Sequence, residues 1–253
     1  MKSMSGTLVL LGAVLAPGIP AQTRKLSGEL AGGDISGGRF ELAPDGVHVV
    51  FSGRFGTLFA NDLYVARADG SDQPRALFPE QHLGGGSGIP NAGFFRITPD
   101  SRRVVYAVDH DGYQGDELYV AALDGSAPAL SLVEVSAAFG EFQITPDGRR
   151  VVYALRGLDS SDQEGLYSLR LGEGARPVGE RQPLRLTAPR SAAGEILDFQ
   201  ISADSKHVVF TCTALDLGCN ACDVVDPVEL FSVPVNGEEP PRLLSPAPPR
   251  AHL

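Results

Sequence analysis

Apolar residues along this chain fall in short clusters, and the clusters recur in a fixed order. The first is an alternating triplet, found as Phe40-Glu41-Leu42, Phe95-Arg96-Ile97, Phe142-Gln143-Ile144 and Phe199-Gln200-Ile201. Alternation of this kind puts two apolar side chains on one face of a short strand, designated A. A tight polar group follows each: Pro44-Asp45-Gly46, Pro99-Asp100-Ser101, Pro146-Asp147-Gly148 and Ala203-Asp204-Ser205. Proline presets φ at the first corner, aspartate accepts local backbone bonds, and glycine permits a left-handed residue, so each group predicts a turn. Then come the uninterrupted triplets Val49-Val50-Phe51, Val104-Val105-Tyr106, Val151-Val152-Tyr153 and Val208-Val209-Phe210. A continuous apolar run suits a strand B buried on both faces.

After a variable loop, strand C reads Leu63-Tyr64-Val65, Leu118-Tyr119-Val120, Leu166-Tyr167-Ser168 and Leu230-Phe231-Ser232. It ends in Asp69-Gly70, Asp124-Gly125, Glu173-Gly174 and Asn236-Gly237, and such dipeptides are strong hairpin signals. Strand D follows, as residues 74–78, 130–133, 184–187 and 242–245. The turn aspartates Asp45, Asp100, Asp147 and Asp204 recur at intervals of 55, 47 and 57 residues. A four-stranded unit repeated at about this period defines a propeller blade. The fold class is all-β: a β-propeller of four recognisable four-stranded blades, near residues 40–78, 95–134, 142–187 and 199–245.

This run of motifs resembles the WD40-like PD40 repeats of TolB-type propellers, over residues 24 to 245. The resemblance implies a binding platform: the group includes periplasmic scaffold proteins and the propeller domains of prolyl-oligopeptidase-like peptidases. TolB-type proteins pair a small α/β domain with six blades, whereas four repeats are read here. Arg24-Lys25-Leu26-Ser27 looks like a fifth D segment, ahead of the first A strand. One D segment would be redundant in a closed ring, so the reading favours an open or partial array of a larger propeller, able to self-associate through an open blade edge.

The N-terminus changes the compartment. Lys2 precedes an apolar run, Thr7–Ala16, of the length of a signal h-region, with a cleavage site expected after Ala21. A bilayer span needs about 20 apolar residues, so residues 1–21 read as a signal peptide and the mature chain as periplasmic or secreted, without a membrane span. Residues 22–245 hold the repeats, and 246–253 form a proline-rich tail. The net charge of -10 argues against nucleic acid, which requires clustered basic surface.

Candidate chemistry is confined to the loops. A–B and C–D turns share one end of each blade and are short. The B–C and D–A connections share the other end and vary in length, which is where function concentrates on a rigid scaffold. That end carries Asp109, Asp111, Asp116 and Glu117, a set of oxygens of the type a hard cation such as calcium takes. The spacing does not follow the EF-hand pattern, and the baseline expectation is solvated loop acids with no cofactor. Cys212, Cys219 and Cys222 cluster in the last B–C loop, where an exported protein would form one structural disulfide. No nucleophile elbow or phosphate loop is present: Gly84–Gly88 lacks the spacing of the first and the lysine of the second. The expected function is a non-catalytic protein-binding scaffold acting through the variable loops. The alternative is a propeller enzyme acting on a small molecule or glycan, with a cation held by the loop acids.

Overall fold

A computed structural model describes residues 25–26, 39–53, 62–77, 94–109, 116–135, 138–156, 164–172, 182–188, 195–213 and 228–245. The expected signal segment and the proline-rich tail lie outside them. All regular structure among the described residues is strand, in four antiparallel sheets. Blade 1 holds β1 (Phe40–Leu42), β2 (His48–Gly53), β3 (Asp62–Arg67) and β4 (Arg75–Ala76). Blade 2 holds β5 (Phe95–Ile97), β6 (Arg103–Asp109), β7 (Asp116–Ala122) and β8 (Leu130–Val135). Blade 3 holds β9 (Ala138–Ile144), β10 (Arg150–Arg156), β11 (Gly165–Arg170) and β12 (Leu184–Arg185). Blade 4 holds β13 (Ile196–Ile201), β14 (His207–Thr213), β15 (Val228–Pro234) and β16 (Arg242–Leu243). In every sheet the spatial order follows the chain, the A-B-C-D meander of a propeller blade. The chain divides into two compact units, residues 1–132 and 133–253, with the boundary inside β8.

The repeated motifs fix the register. The motif phenylalanine of each A strand sits opposite the aromatic of strand B: Phe40 and Phe51, Phe95 and Tyr106, Phe142 and Tyr153, Phe199 and Phe210. That residue is in turn opposite the aromatic of strand C: Tyr64, Tyr119, Tyr167 and Phe231. The B and C rings stack at centroid distances of 5.7, 5.5, 5.5 and 5.5 Å. Such pairs contribute about 0.5–1.5 kcal/mol beyond their buried area. One aromatic rung therefore pins all three inner strands, because a slip by one residue would send every ring to the other face. Val49, Val50 and Phe51 are all fully buried, as are Val104, Val105 and Tyr106. Both faces of strand B are interior, as its unbroken apolar run requires.

Local chemistry closes the A–B turns identically. A backbone bond joins Gly46 N–H to the Ala43 carbonyl at 2.8 Å, and Ser101, Gly148 and Ser205 repeat it on Thr98, Thr145 and Ser202. In each turn the aspartate Oδ1 accepts the N–H two residues on, from Val47, Arg102, Arg149 or Lys206, at 2.8–3.1 Å. The fourth residue is left-handed, with φ of 70° at Gly46 and 69° at Gly148. Ser101 and Ser205 hold the same conformation at 58° and 61° without the freedom of glycine.

Those two serines expose a longer period. The Ser101 hydroxyl accepts the Asp45 N–H of blade 1 at 2.9 Å, and the Ser205 hydroxyl accepts the Asp147 N–H of blade 3 at 3.0 Å. The middle residue of strand A also reaches across in both units: Glu41 Oε1 accepts the Ile97 N–H at 3.0 Å, and Gln143 Nε2 donates to the Phe199 carbonyl at 2.8 Å. The D strand then lies on the next blade's C–D glycine. Arg75 donates to the Leu123 carbonyl at 2.6 Å, and a Cβ on Gly125 would stand 2.6 Å from its guanidinium. Leu184 covers Gly237 with the same closeness, 2.7 Å. Within each unit two blades thus form one repeated pair.

The D segments depart from the sequence reading. Three are only two residues long, while β8 extends to six, and β9 and β13 begin earlier than the phenylalanine motif, each with a register shift against strand B. Leu26, in the expected leader segment, is buried with Val49, Phe51, Tyr64 and Ala66. Leu77 holds the equivalent place against Val104, Tyr106, Tyr119 and Ala121 of blade 2.

Two outcomes follow for stability. A left-handed non-glycine residue carries about 1–2 kcal/mol of strain, and a hydrogen bond contributes about 0.5–1.5 kcal/mol. Ser101→Ala keeps the strain and loses the bond, so it destabilises by about 1 kcal/mol; Ser101→Gly loses both and stays near wild type. Equal denaturation midpoints for the two variants would refute this account of the turn. Glu41 supplies the second. Burial pushes its carboxyl up, outweighing the Ile97 N–H and the Arg96 charge that pull it down. A carboxyl raised on folding leaves stability intact below its unfolded value and erodes it as pH rises through the folded one. Glu41→Gln should melt like wild type near pH 4 and above it at pH 7; a constant difference across that range would count against the burial argument.

Candidate functional site

Strand direction puts the A–B and C–D turns at one end of each blade, and there the carboxylates serve the backbone. Thr98 donates its hydroxyl to Asp100 Oδ1 at 2.5 Å, and Thr145 and Ser202 do the same to Asp147 and Asp204 at 2.6 Å. Asp69 accepts both the hydroxyl and the N–H of Ser71, at 2.7 and 2.9 Å, which lowers its carboxyl to about 2. Asp45, Asp124 and Asp204 are also held below the ordinary range, chiefly by the Val47 N–H, the Ser126 hydroxyl and the Ser202 hydroxyl respectively. Burial pushes Asp100 up, but Thr98, the Arg102 N–H and two arginines more than offset it. Carboxylates held ionised by turn bonds are poor proton donors at neutral pH. The described carboxylates of this end brace the turns.

The opposite end carries the expected site. β6 stops at Asp109 and β7 starts at Asp116, and the ladder sets these two residues directly opposite one another. Glu117 behaves differently. Its carboxylate accepts the Tyr119 hydroxyl and, at 3.1 Å, the Ser131 hydroxyl on β8, so it is tied into its own sheet. Asp111 lies outside the described residues. The structure brings together Asp109 and Asp116 at the backbone level and assigns Glu117 to the sheet. Among the described residues no three metal-ligating side chains cluster.

Blade 3 supplies, at the corresponding end of its own sheet, an ordered bracket that the sequence motifs do not mark. The Arg185 guanidinium stands 5.6 Å over the Tyr167 ring and donates to the Glu164 carbonyl, and at 3.4 Å to that of Ala188. Thr187 Oγ1 accepts the Leu166 N–H at 3.1 Å, over Gly165, whose φ of 154° and lack of a Cβ allow the approach. These bonds tie the start of β11, where the chain leaves the variable B–C loop, to the end of β12. The only sequence signal was the arginine two residues before Thr187, and a lone arginine in an edge strand reads as a solvated charge.

Cys212 is a buried free thiol, packed with Phe199, Phe210 and the blade 3 residues Val152 and Leu166. Burial pushes the thiol up, and Glu229, directly across the ladder, adds to the shift. A thiol raised in this way is a weak nucleophile. Cys219 and Cys222 lie outside the described residues.

No family model matches the sequence, and no curated protein matches it. Solved structures do. The chain is similar to putative TolB from Agrobacterium tumefaciens, at 18% identity and TM-score 0.48, over 81% of this chain and 64% of that one. It is similar to puromycin hydrolase at 19% identity and TM-score 0.53, over 90% and 33%. A structure from an analysis of two prolyl endopeptidases gives 13% identity and TM-score 0.54, over 82% and 29%. At these identities the likeness concerns the fold alone, and the fold is a β-propeller made of four-stranded blades. The chain spans less than two thirds of the length of each of these structures.

Native alkylation should leave Cys212 unmodified, and unfolding should expose it, as read by peptide mapping. Rapid labelling of Cys212 in the folded protein would overturn its place in the core.

Proposed function

We propose that this protein is an exported, non-catalytic scaffold that binds a protein partner through the variable loops at the Asp109–Asp116 end. The observation that carries the reading is the asymmetry between the two ends of the blades. At the turn end the carboxylates of the described turns are engaged in local hydrogen bonds, and the four A–B turns share one closed backbone geometry. At the other end of its own sheet, blade 2 carries a strand start tied down by Glu117 and blade 3 one tied down by Arg185, and the B–C loops that meet these strands differ in composition. A rigid frame that carries variable loops is the usual arrangement of a binding face. Export rests on the Lys2 and Thr7–Ala16 pattern. Among the described residues no helix is long and apolar enough to cross a membrane.

The tagged mature chain, cross-linked in envelope extract, should capture a defined protein, and Asp109→Asn with Asp116→Asn should lose it. Asp124→Asn, a change at the turn end, should retain it. Capture that survives the double substitution and fails with the turn variant would place the binding face at the other end.

A further inference from the structure

The C–D turn is built the same way in blades 1, 2 and 4. The glycine N–H donates to the carbonyl three residues back, Gly70 to Arg67 at 2.9 Å, Gly125 to Ala122 at 3.2 Å and Gly237 to Pro234 at 2.9 Å. The side chain before each glycine accepts the N–H two residues on: Asp69 from Ser71 at 2.9 Å, Asp124 from Ser126 at 2.8 Å and Asn236 from Glu238 at 3.3 Å. All three glycines are left-handed, with φ of 67°, 72° and 66°. The third turn differs in carrying a carboxamide where the others carry a carboxylate, and this changes its chemistry. A carboxylate held ionised, as in Asp69 and Asp124, is a poor target for a nucleophile. A carboxamide is neutral and can release ammonia, and the glycine after it has no side chain to shield its nitrogen.

We propose that Asn236 is a site of spontaneous covalent modification, gated by the packing of blade 3 on blade 4. The Gly237 nitrogen attacks Asn236 Cγ to close a succinimide ring. An N–Cγ bond forms, the Cγ–Nδ2 bond breaks, and the Gly237 proton leaves with ammonia. Water then opens the ring. Cleavage at Cγ returns an ordinary aspartate, and cleavage at the original carbonyl carbon routes the main chain through the side chain as isoaspartate. The folded turn opposes the first step. The attacking nitrogen must give up a proton that the Pro234 carbonyl holds, and the Glu238 N–H fixes the side chain under attack. Leu184 of blade 3 also lies over the turn, its Cδ2 2.7 Å from where a Cβ on Gly237 would stand. Closing the ring redirects the 236–237 peptide beneath that leucine, so attack requires local opening of the contact. The two products then part ways. Aspartate at 236 reproduces the turn made by Asp69 and Asp124, which the fold already accepts twice. Isoaspartate adds a methylene to the main chain, which neither the Gly237–Pro234 hydrogen bond nor the seat under Leu184 accommodates. That product loosens blade 4 from blade 3.

Peptide mapping of the full chain, incubated near neutral pH either folded or in urea, reads both rates. Asn236 should convert to aspartate and isoaspartate in urea, and at least about tenfold more slowly in the folded chain, the scale of one hydrogen bond. Leu184→Ala should raise the folded rate at least about threefold and leave the rate in urea unchanged. Cys212 should stay protected from alkylation in that variant, which separates local opening from unfolding; if it does not, Leu184→Val replaces the alanine. Asn236→Asp should melt as wild type, and the isolated isoaspartyl chain below it. No conversion in urea, equal rates in the folded and unfolded chain, or a folded rate that ignores the loss of Leu184 overturns the proposal. An isoaspartyl chain that melts as wild type overturns its effect on the blade pair.

Discussion

Burial of strand B on both faces is the constraint from which the rest of the structure follows. Val49 and Phe51 point one way and Val50 the other, and none is exposed. A sheet of this kind cannot be stable alone, since one apolar face would always meet water. Within each unit one blade therefore completes the other, and stability is a sum of blade terms and nearest-neighbour interfaces. The chain meets the constraint by repetition: the same valines, the same aromatic rung and the same turn, four times.

Repetition is not uniform, and its departures are informative. Turns ending in glycine alternate with turns ending in serine, and the alternation is functional for packing. Gly46 and Gly148 relieve the left-handed position, while Ser101 and Ser205 accept strain there and use the hydroxyl to hold the preceding blade's turn. The strain and the hydrogen bond are of similar size, so neither residue wins outright on stability. What serine adds is a bond between blades, placed where it fixes the pair. Glu41 and Gln143 repeat the same division with opposite chemistry, an acceptor in one unit and a donor in the other.

The blade was legible in the sequence because its signals are local. Phe-x-Ile alternation, the Val-Val-Tyr run and Pro-Asp-Gly each specify conformation within a few residues, and together they set the register. The paired blades were not legible, because a serine in place of a turn glycine reads as ordinary variation until its hydroxyl is seen to reach 56 residues back along the chain. Strand D was overestimated in three blades, where only two of its residues pair with strand C although strand C itself is six or seven residues long. Glu117 was grouped with its acidic neighbours by composition, yet it lies two residues from Tyr119 on a strand of period two, and that spacing places both on one face. Cys212 carried a similar signal, two residues beyond Phe210 on the core face of β14.

The terminal surfaces show the limit of local reading most clearly. Leu63, Leu118, Leu166 and Leu230 occupy one position in one motif, and no feature of the motif separates the last from the others. Only the fold does, because coverage belongs to the neighbour and not to the residue. A surface leucine at a repeat position has a physical consequence that a polar residue would avoid: it leaves apolar area in water at a site shaped to receive another blade. Blade 4 keeps this face apolar at Val209, Leu230 and Leu244, although Leu230 and Leu244 are exposed. The same motif thus gives a core residue in three blades and an exposed one in the fourth, which is a property of the surroundings and not of the residues that spell it.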